Sequence, residues 1–155
     1  MNISYYKNVM EKLIFLANHK SEFNDTNIKF IPVKNPEIIP DFFKYPEDYK
    51  WLITNYGFLV WSFHNYLVLE IFNEHVVEDD SSYLSIDRIE SDREEIGDNC
   101  LIIGYDVHAA VYAYELVENK YILKQHFMHG ALYNNLFELL EENYNELAPL
   151  VKSRG

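Results

Sequence analysis

Between Tyr5 and Ala17 the apolar positions Tyr6, Val9, Met10, Leu13 and Ala17 recur at intervals of three and four, with Lys7, Glu11 and Lys12 elsewhere. That period is one face of an α-helix, so an amphipathic helix is predicted over residues 5–17. The pattern then breaks. "FIPVKNPEIIPDFFKYP" places Pro32, Pro36, Pro40 and Pro46 within fifteen residues. Proline removes backbone donors and fixes φ, so an extended connection is predicted there despite its apolar content. "YPEDYKWLITNYG" restores helical spacing through Tyr49, Leu52, Ile53 and Tyr56. Pro46 suits the first helical position, Glu47 and Asp48 suit the positive end of the helix dipole, and Gly57 suits a left-handed stop.

From Phe58 the period changes to two. "FLVWSFHNYLVLEIF" predicts a hairpin turning at His64-Asn65, because asparagine tolerates positive φ. Leu67, Leu69 and Ile71 then face one way, and Tyr66, Val68, Glu70 and Phe72 the other. "CLIIGY" and "AAVYAYELV" predict two more strands from their β-branched and aromatic content, and "YILKQHF" adds another. Tyr133, Leu136, Phe137, Leu140, Tyr144 and Leu147 return to helical spacing, with Glu138, Glu141, Glu142 and Glu146 on other faces, and this helix is predicted to end near Pro149. Helices at both ends of a mainly antiparallel sheet make an α+β fold, expected as a single domain over residues 1–155 without internal repeats.

Composition narrows the function classes. Of the 155 residues, 48% are hydrophobic and 16% aromatic, with 13 tyrosines and 10 phenylalanines, so the chain carries ample material for a core. Cys100 is the lone cysteine, which excludes an intramolecular disulfide and a cysteine-based zinc cluster. The "LIFLA" run near the N-terminus is too short for a signal segment, and nothing approaches the roughly 20 apolar residues of a membrane span. A soluble cytoplasmic protein is therefore expected. Formal net charge is −12, and residues 70–98 hold eleven acids against Arg88 and Arg93, nine of the twelve excess negative charges. Polyanions would be repelled, so direct nucleic-acid or membrane binding is not expected, whereas a basic protein would be attracted. A homodimer is compatible with the sequence.

With the elements placed, the chain resembles the SUKH superfamily, whose bacterial members are largely immunity proteins of polymorphic toxin systems. The opening helix of that family reads here as Pro46, Asp48-Tyr49-Lys50, Trp51-Leu52-Ile53 and Asn55-Tyr56-Gly57. A hairpin follows, then a strand closing on a glycine and an acid (Gly104, Asp106), a tyrosine-bearing strand "VYAYEL" and the closing helix "NNLFELLEENY". The similarity in order spans about residues 40–145. Tyr45 stands where the family usually has leucine, residues 28–44 are proline-rich where many relatives have a second N-terminal helix, and Val107 and His108 stand where glycines often follow the acid. The resemblance implies a non-enzymatic binder that neutralises a cognate toxin by occlusion, a basic nuclease matching the charge best. A regulatory adaptor of the same fold is the alternative, and an enzyme using clustered carboxylates a more distant one.

No catalytic or cofactor-binding residues are expected. Glu47 and Asp48 are adjacent on a helix and point about 100° apart, so they serve the dipole better than an acid–base pair. His126 and His129 are three apart, but no helix-length pattern surrounds them and no carboxylate lies one turn away, so no metal site is expected. Ser81 and Ser82 lack the strand and glycine context of a nucleophile elbow, and Cys100 opens an apolar strand as a buried thiol. The candidate partner-binding residues are the acids Glu74, Glu78, Asp79, Asp80, Asp87, Glu90, Asp92, Glu94, Glu95, Asp98 and Asp106. Aromatic anchors are expected among them: Trp51, which is out of phase with the core stripe of its helix, and Tyr83, Tyr105 and Tyr66.

Overall fold

The computed structural model describes residues 2–19, 25–64, 66–73, 91, 93–106, 111–125, 128–133 and 135–152. Helix α1 (Ile3–Asn18) is capped by Asn2, whose side chain accepts the Tyr5 N–H at 3.0 Å. Tyr6, Val9, Met10, Leu13 and Leu16 form its buried stripe. Seven strands follow: β1 (Thr26–Ile31), β2 (Phe58–Phe63), β3 (Tyr66–Ile71), β4 (Cys100–Asp106), β5 (Val111–Glu115), β6 (Lys120–Gln125) and β7 (Met128–Tyr133). They lie in chain order in one antiparallel sheet. Helix α2 (Glu47–Asn55) interrupts the meander between β1 and β2, and α3 (Leu136–Lys152) closes it. The chain is an α+β fold, with its sheet flanked by N- and C-terminal helices.

The proline-rich segment is not simply extended. Asn35 accepts the Glu37 N–H and starts a 3₁₀ turn at Pro36–Ile38, and a second turn covers Phe42–Lys44. Proline at a first helical position costs no hydrogen bond, so the segment turns where proline allows it. Strand β1 carries little sequence signal: four of its six side chains are half-buried and none is fully buried.

Pro46 is the N-cap of α2, one residue earlier in the helix than predicted, and supplies no side-chain bond. At the other end Gly57 takes φ +93° and donates its N–H to the Leu52 carbonyl at 3.1 Å, the left-handed stop the sequence called for. The hairpin turn is carried by His64, at φ +52°, while Asn65 lies outside the described residues.

Strand β3 departs from simple alternation in burial. Val68, Glu70 and Phe72 are buried as well as Leu67, Leu69 and Ile71, so both faces of the sheet are covered here. Glu70, the first acid of the charged segment, is thus a core residue. Helix α1 packs against α3 and β1, and α2 packs against α3, which itself reaches β7. Tyr6 stacks on Phe137 with ring centroids 4.3 Å apart, joining the two terminal helices. α3 does not stop at Pro149 but runs through it to Lys152. Tyr133, assigned by period to this helix, instead ends β7. Cys100 is buried at the start of β4, as its sequence context implied.

Candidate functional site

Asp48, placed by sequence at the helix dipole, proves to be a buried junction between three elements. It is 4% exposed. One carboxylate oxygen accepts the Tyr121 hydroxyl at 2.8 Å and the Tyr49 N–H at 2.9 Å, while the other accepts the Leu136 N–H at 2.6 Å. Leu136 opens α3, so an acid of α2 caps a helix 88 residues further along. Asn135 takes the adjoining donor, accepting the Glu138 N–H at 3.0 Å. Burial raises the Asp48 pKa above 3.8, opposed by the Leu136, Tyr121 and Tyr49 hydrogen bonds. Burial and then the Asp48 charge push the Tyr121 hydroxyl well above its ordinary value. The carboxylate's acceptor positions are taken by protein donors in the core, an arrangement suited to holding elements together.

A second buried polar group lies nearby. The Asn73 amide donates to the Tyr45 hydroxyl at 2.7 Å and the Tyr49 hydroxyl at 3.4 Å, and those two rings stack at 4.8 Å. The Tyr45 ring thus fills a buried apolar site while its oxygen meets Asn73. Asn73→Ala is expected to cost about 1–2 kcal/mol, because buried hydroxyls lose their donor. A urea midpoint unchanged by the substitution would rule this network out as a stabilising one.

At the surface, α2 and the second 3₁₀ turn enclose a groove of about 340 Å³ lined by Phe42, Glu47, Lys50, Trp51, Thr54 and Asn55. Trp51 is half-buried: its ring meets Tyr6, Tyr56 and Phe137 at centroid distances of 5.5, 5.7 and 5.6 Å, leaving the remainder in the groove. A second groove, about 480 Å³, runs along α3 between Glu138, Glu141, Glu142, Asn145 and Glu146. Within it Glu141 accepts from Lys12 and from the Tyr5 hydroxyl, both at 3.1 Å. Burial, followed by that hydrogen bond, pushes the Tyr5 pKa up to about 12.

The predicted partner-binding residues separate into groups. Glu94, Glu95 and Asp98 are exposed, around a turn where the Arg93 guanidinium donates to the Gly97 and Cys100 carbonyls. Tyr105 is 0% exposed, opposite Glu70 and Val111 within the sheet, and so is withdrawn as an interface anchor. Its strand continues on both sides into covered neighbours, which alternation alone does not reveal. Tyr66, by contrast, is 77% exposed. Asp106 closes β4 in register with Leu69. Glu74, Glu78, Asp79, Asp80, Tyr83, Asp87, Glu90 and Asp92 lie outside the described residues, as do Ser81, Ser82 and His126. His129 sits in β7 opposite Lys124, so the helical spacing that would have paired it with His126 does not apply. The acids of this groove form a helical row in the sequence. Their recurrence at positions 138, 141, 142 and 146 was the available signal.

Among the described residues no group of three or more His, Cys, Asp or Glu side chains is placed to hold a metal ion, and no helix is long and apolar enough to cross a membrane. No family model, curated protein or solved structure matches the chain. Asp48, the carboxylate with the raised pKa, lines neither groove. Both grooves offer contact surface, one setting two aromatic rings among polar side chains and the other acidic.

Proposed function

We propose that the chain is an immunity protein of SUKH type, which binds a cognate basic toxin and neutralises it by stoichiometric occlusion. What carries this reading is the succession of elements around the motif positions. Pro46 and Gly57 bound α2, the β2–β3 hairpin follows, Gly104 and Asp106 close β4, and α3 ends the fold. The net charge of −12 supports a basic partner, with a nuclease the class it suits best, since carboxylates then occupy positions meant for phosphates. The cytoplasm is the compartment in which such a toxin would be met.

Co-expression with the toxin encoded beside this chain tests the proposal. Survival should be restored and a stable complex should be recovered. Absence of both rescue and complex overturns the reading, and a complex with a host protein instead points to the adaptor alternative. Electrostatic steering adds a kinetic signature: the association rate should fall about tenfold or more as ionic strength rises from about 0.01 to 0.15 M and the screening length shortens from about 30 to 8 Å. A rate indifferent to salt removes the acidic surface from the mechanism.

A further inference from the structure

Two large apolar side chains of one short segment point outward: Ile38 is 58% exposed and Phe43 73%, while Ile39 between them is buried. Both belong to the 3₁₀ turns that precede α2, and the turns pack against each other. Asp41 adopts φ +53° at the start of the second turn, a left-handed conformation that Asp tolerates better than most residues other than glycine. Beyond it the chain sends Phe42 into the groove with Trp51 and leaves Phe43 outside.

The groove is held in shape before anything enters it. Lys50 of α2 pairs with Glu47 at 2.8 Å and donates to the Phe43 carbonyl at 3.4 Å, which ties the helix to the turn. Trp51 is braced from behind by Tyr6, Tyr56 and Phe137. Lys44 is matched by Asp41 at 3.8 Å. The groove thus sets two aromatic rings, Phe42 and Trp51, beside polar side chains whose lysine is paired with Glu47, a mix of apolar contact and satisfied charge suited to an interface.

We infer that this face, formed by Ile38, Phe42, Phe43 and Trp51, is where the toxin docks, seating an apolar or aromatic side chain of a basic protein in the Phe42–Trp51 groove. The inference rests on the immunity reading given above. Charge selects the occupant. A second copy brings another −12 against the first, which opposes self-association at this face, and nucleic acids and anionic membranes are repelled. A basic protein is drawn in by the same field, and at the patch it meets lysines already neutralised by Asp41 and Glu47.

The test uses the full chain and the toxin domain encoded beside it, inactivated by substitution in its own catalytic site, with affinity measured by calorimetry. Phe43→Glu and Ile38→Glu, both at exposed positions, should each weaken the complex at least tenfold while the melting temperature holds. Val117→Glu, at a site 69% exposed in the β5–β6 turn, serves as the control and should bind as the parent does. Tight binding and rescue by the parent together with affinity within twofold for both patch variants overturns the docking face alone. Failure of the parent to bind overturns the face and the immunity reading together. Self-association of the parent that Phe43→Glu abolishes also overturns the inference, since a second copy is then the occupant.

Discussion

Asp48→Ala is expected to destabilise the protein by about 2–4 kcal/mol, a melting-point drop on the order of 5–15 °C. The substitution strands the Leu136 N–H and the Tyr121 hydroxyl, two buried donors that the carboxylate now satisfies. Each orphaned donor costs about 1–3 kcal/mol, and relief of a buried charge offsets part of that. The loss should be concentrated at the start of α3, where hydrogen exchange at Leu136 and Phe137 should quicken more than in α1. A helix α3 no less protected in Asp48→Ala than in the parent would show that the long-range cap is not what holds it.

The same carboxylate gives a signed pH dependence. Burial raises its folded-state pKa above 3.8, so the native protein keeps this proton to higher pH than the unfolded chain does. Stability linked to that proton is fully present below the unfolded value and is lost as pH rises through the folded one. Asp48→Asn has no such proton. The stability of the parent relative to Asp48→Asn should therefore be greatest in acid, decline as pH rises above about 4, and level off once Asp48 is ionised in the folded state. A difference that grows with pH over that range would mean the hydrogen bonds outweigh desolvation at this site.

Asp48 does lie in the first turn of α2, but its burial is not written in the local sequence. An acid in the first turn of a helix is ordinarily explained by its own dipole, and that explanation is sufficient. Nothing local distinguishes it from Glu47, which is exposed and pairs with Lys50. The distinguishing partners, Tyr121 and Leu136, are brought in by the fold. Legibility followed range throughout. Most of the α1 stripe (Leu16 rather than Ala17 closes it), the glycine stop of α2 and the strands β2 to β6 are encoded by periodicity or residue type within a few residues and are readable. The pairing of β1 and the burial of Tyr105 depend on what lies across the sheet, while the 3₁₀ turns sit in a segment whose prolines read equally well as extended chain. For the candidate docking face, Trp51 stood out by being off phase, but Ile38 and Phe43 did not. Their exposure follows from how the segment turns at Asp41, which no local pattern announces.

Gly104→Ala is expected to cost about 3 kcal/mol or more, a large share of the roughly 5–15 kcal/mol that holds a typical domain together. Gly104 pairs with Ile71 on one side and Tyr112 on the other, at the centre of the sheet and beside the register shift that follows Ile102. A methyl group there would run into the Glu70 carbonyl, and behind it the Ile71 Cα. Those atoms belong to backbone fixed by hydrogen bonds, so relief requires β3 and β4 to separate. Gly97 supplies the contrasting case. It sits at φ +90° with open space around the position a Cβ would take, so Gly97→Ala meets conformational strain without a collision, at about 1–2 kcal/mol. Comparing the two by urea unfolding separates the causes. A larger loss at Gly104 than at Gly97 assigns this glycine to strand approach; equal or reversed losses would mean the β3–β4 contact yields more readily than its geometry implies. Gly104 then has a physical reason: it lets β3 and β4 close beside the buried Glu70.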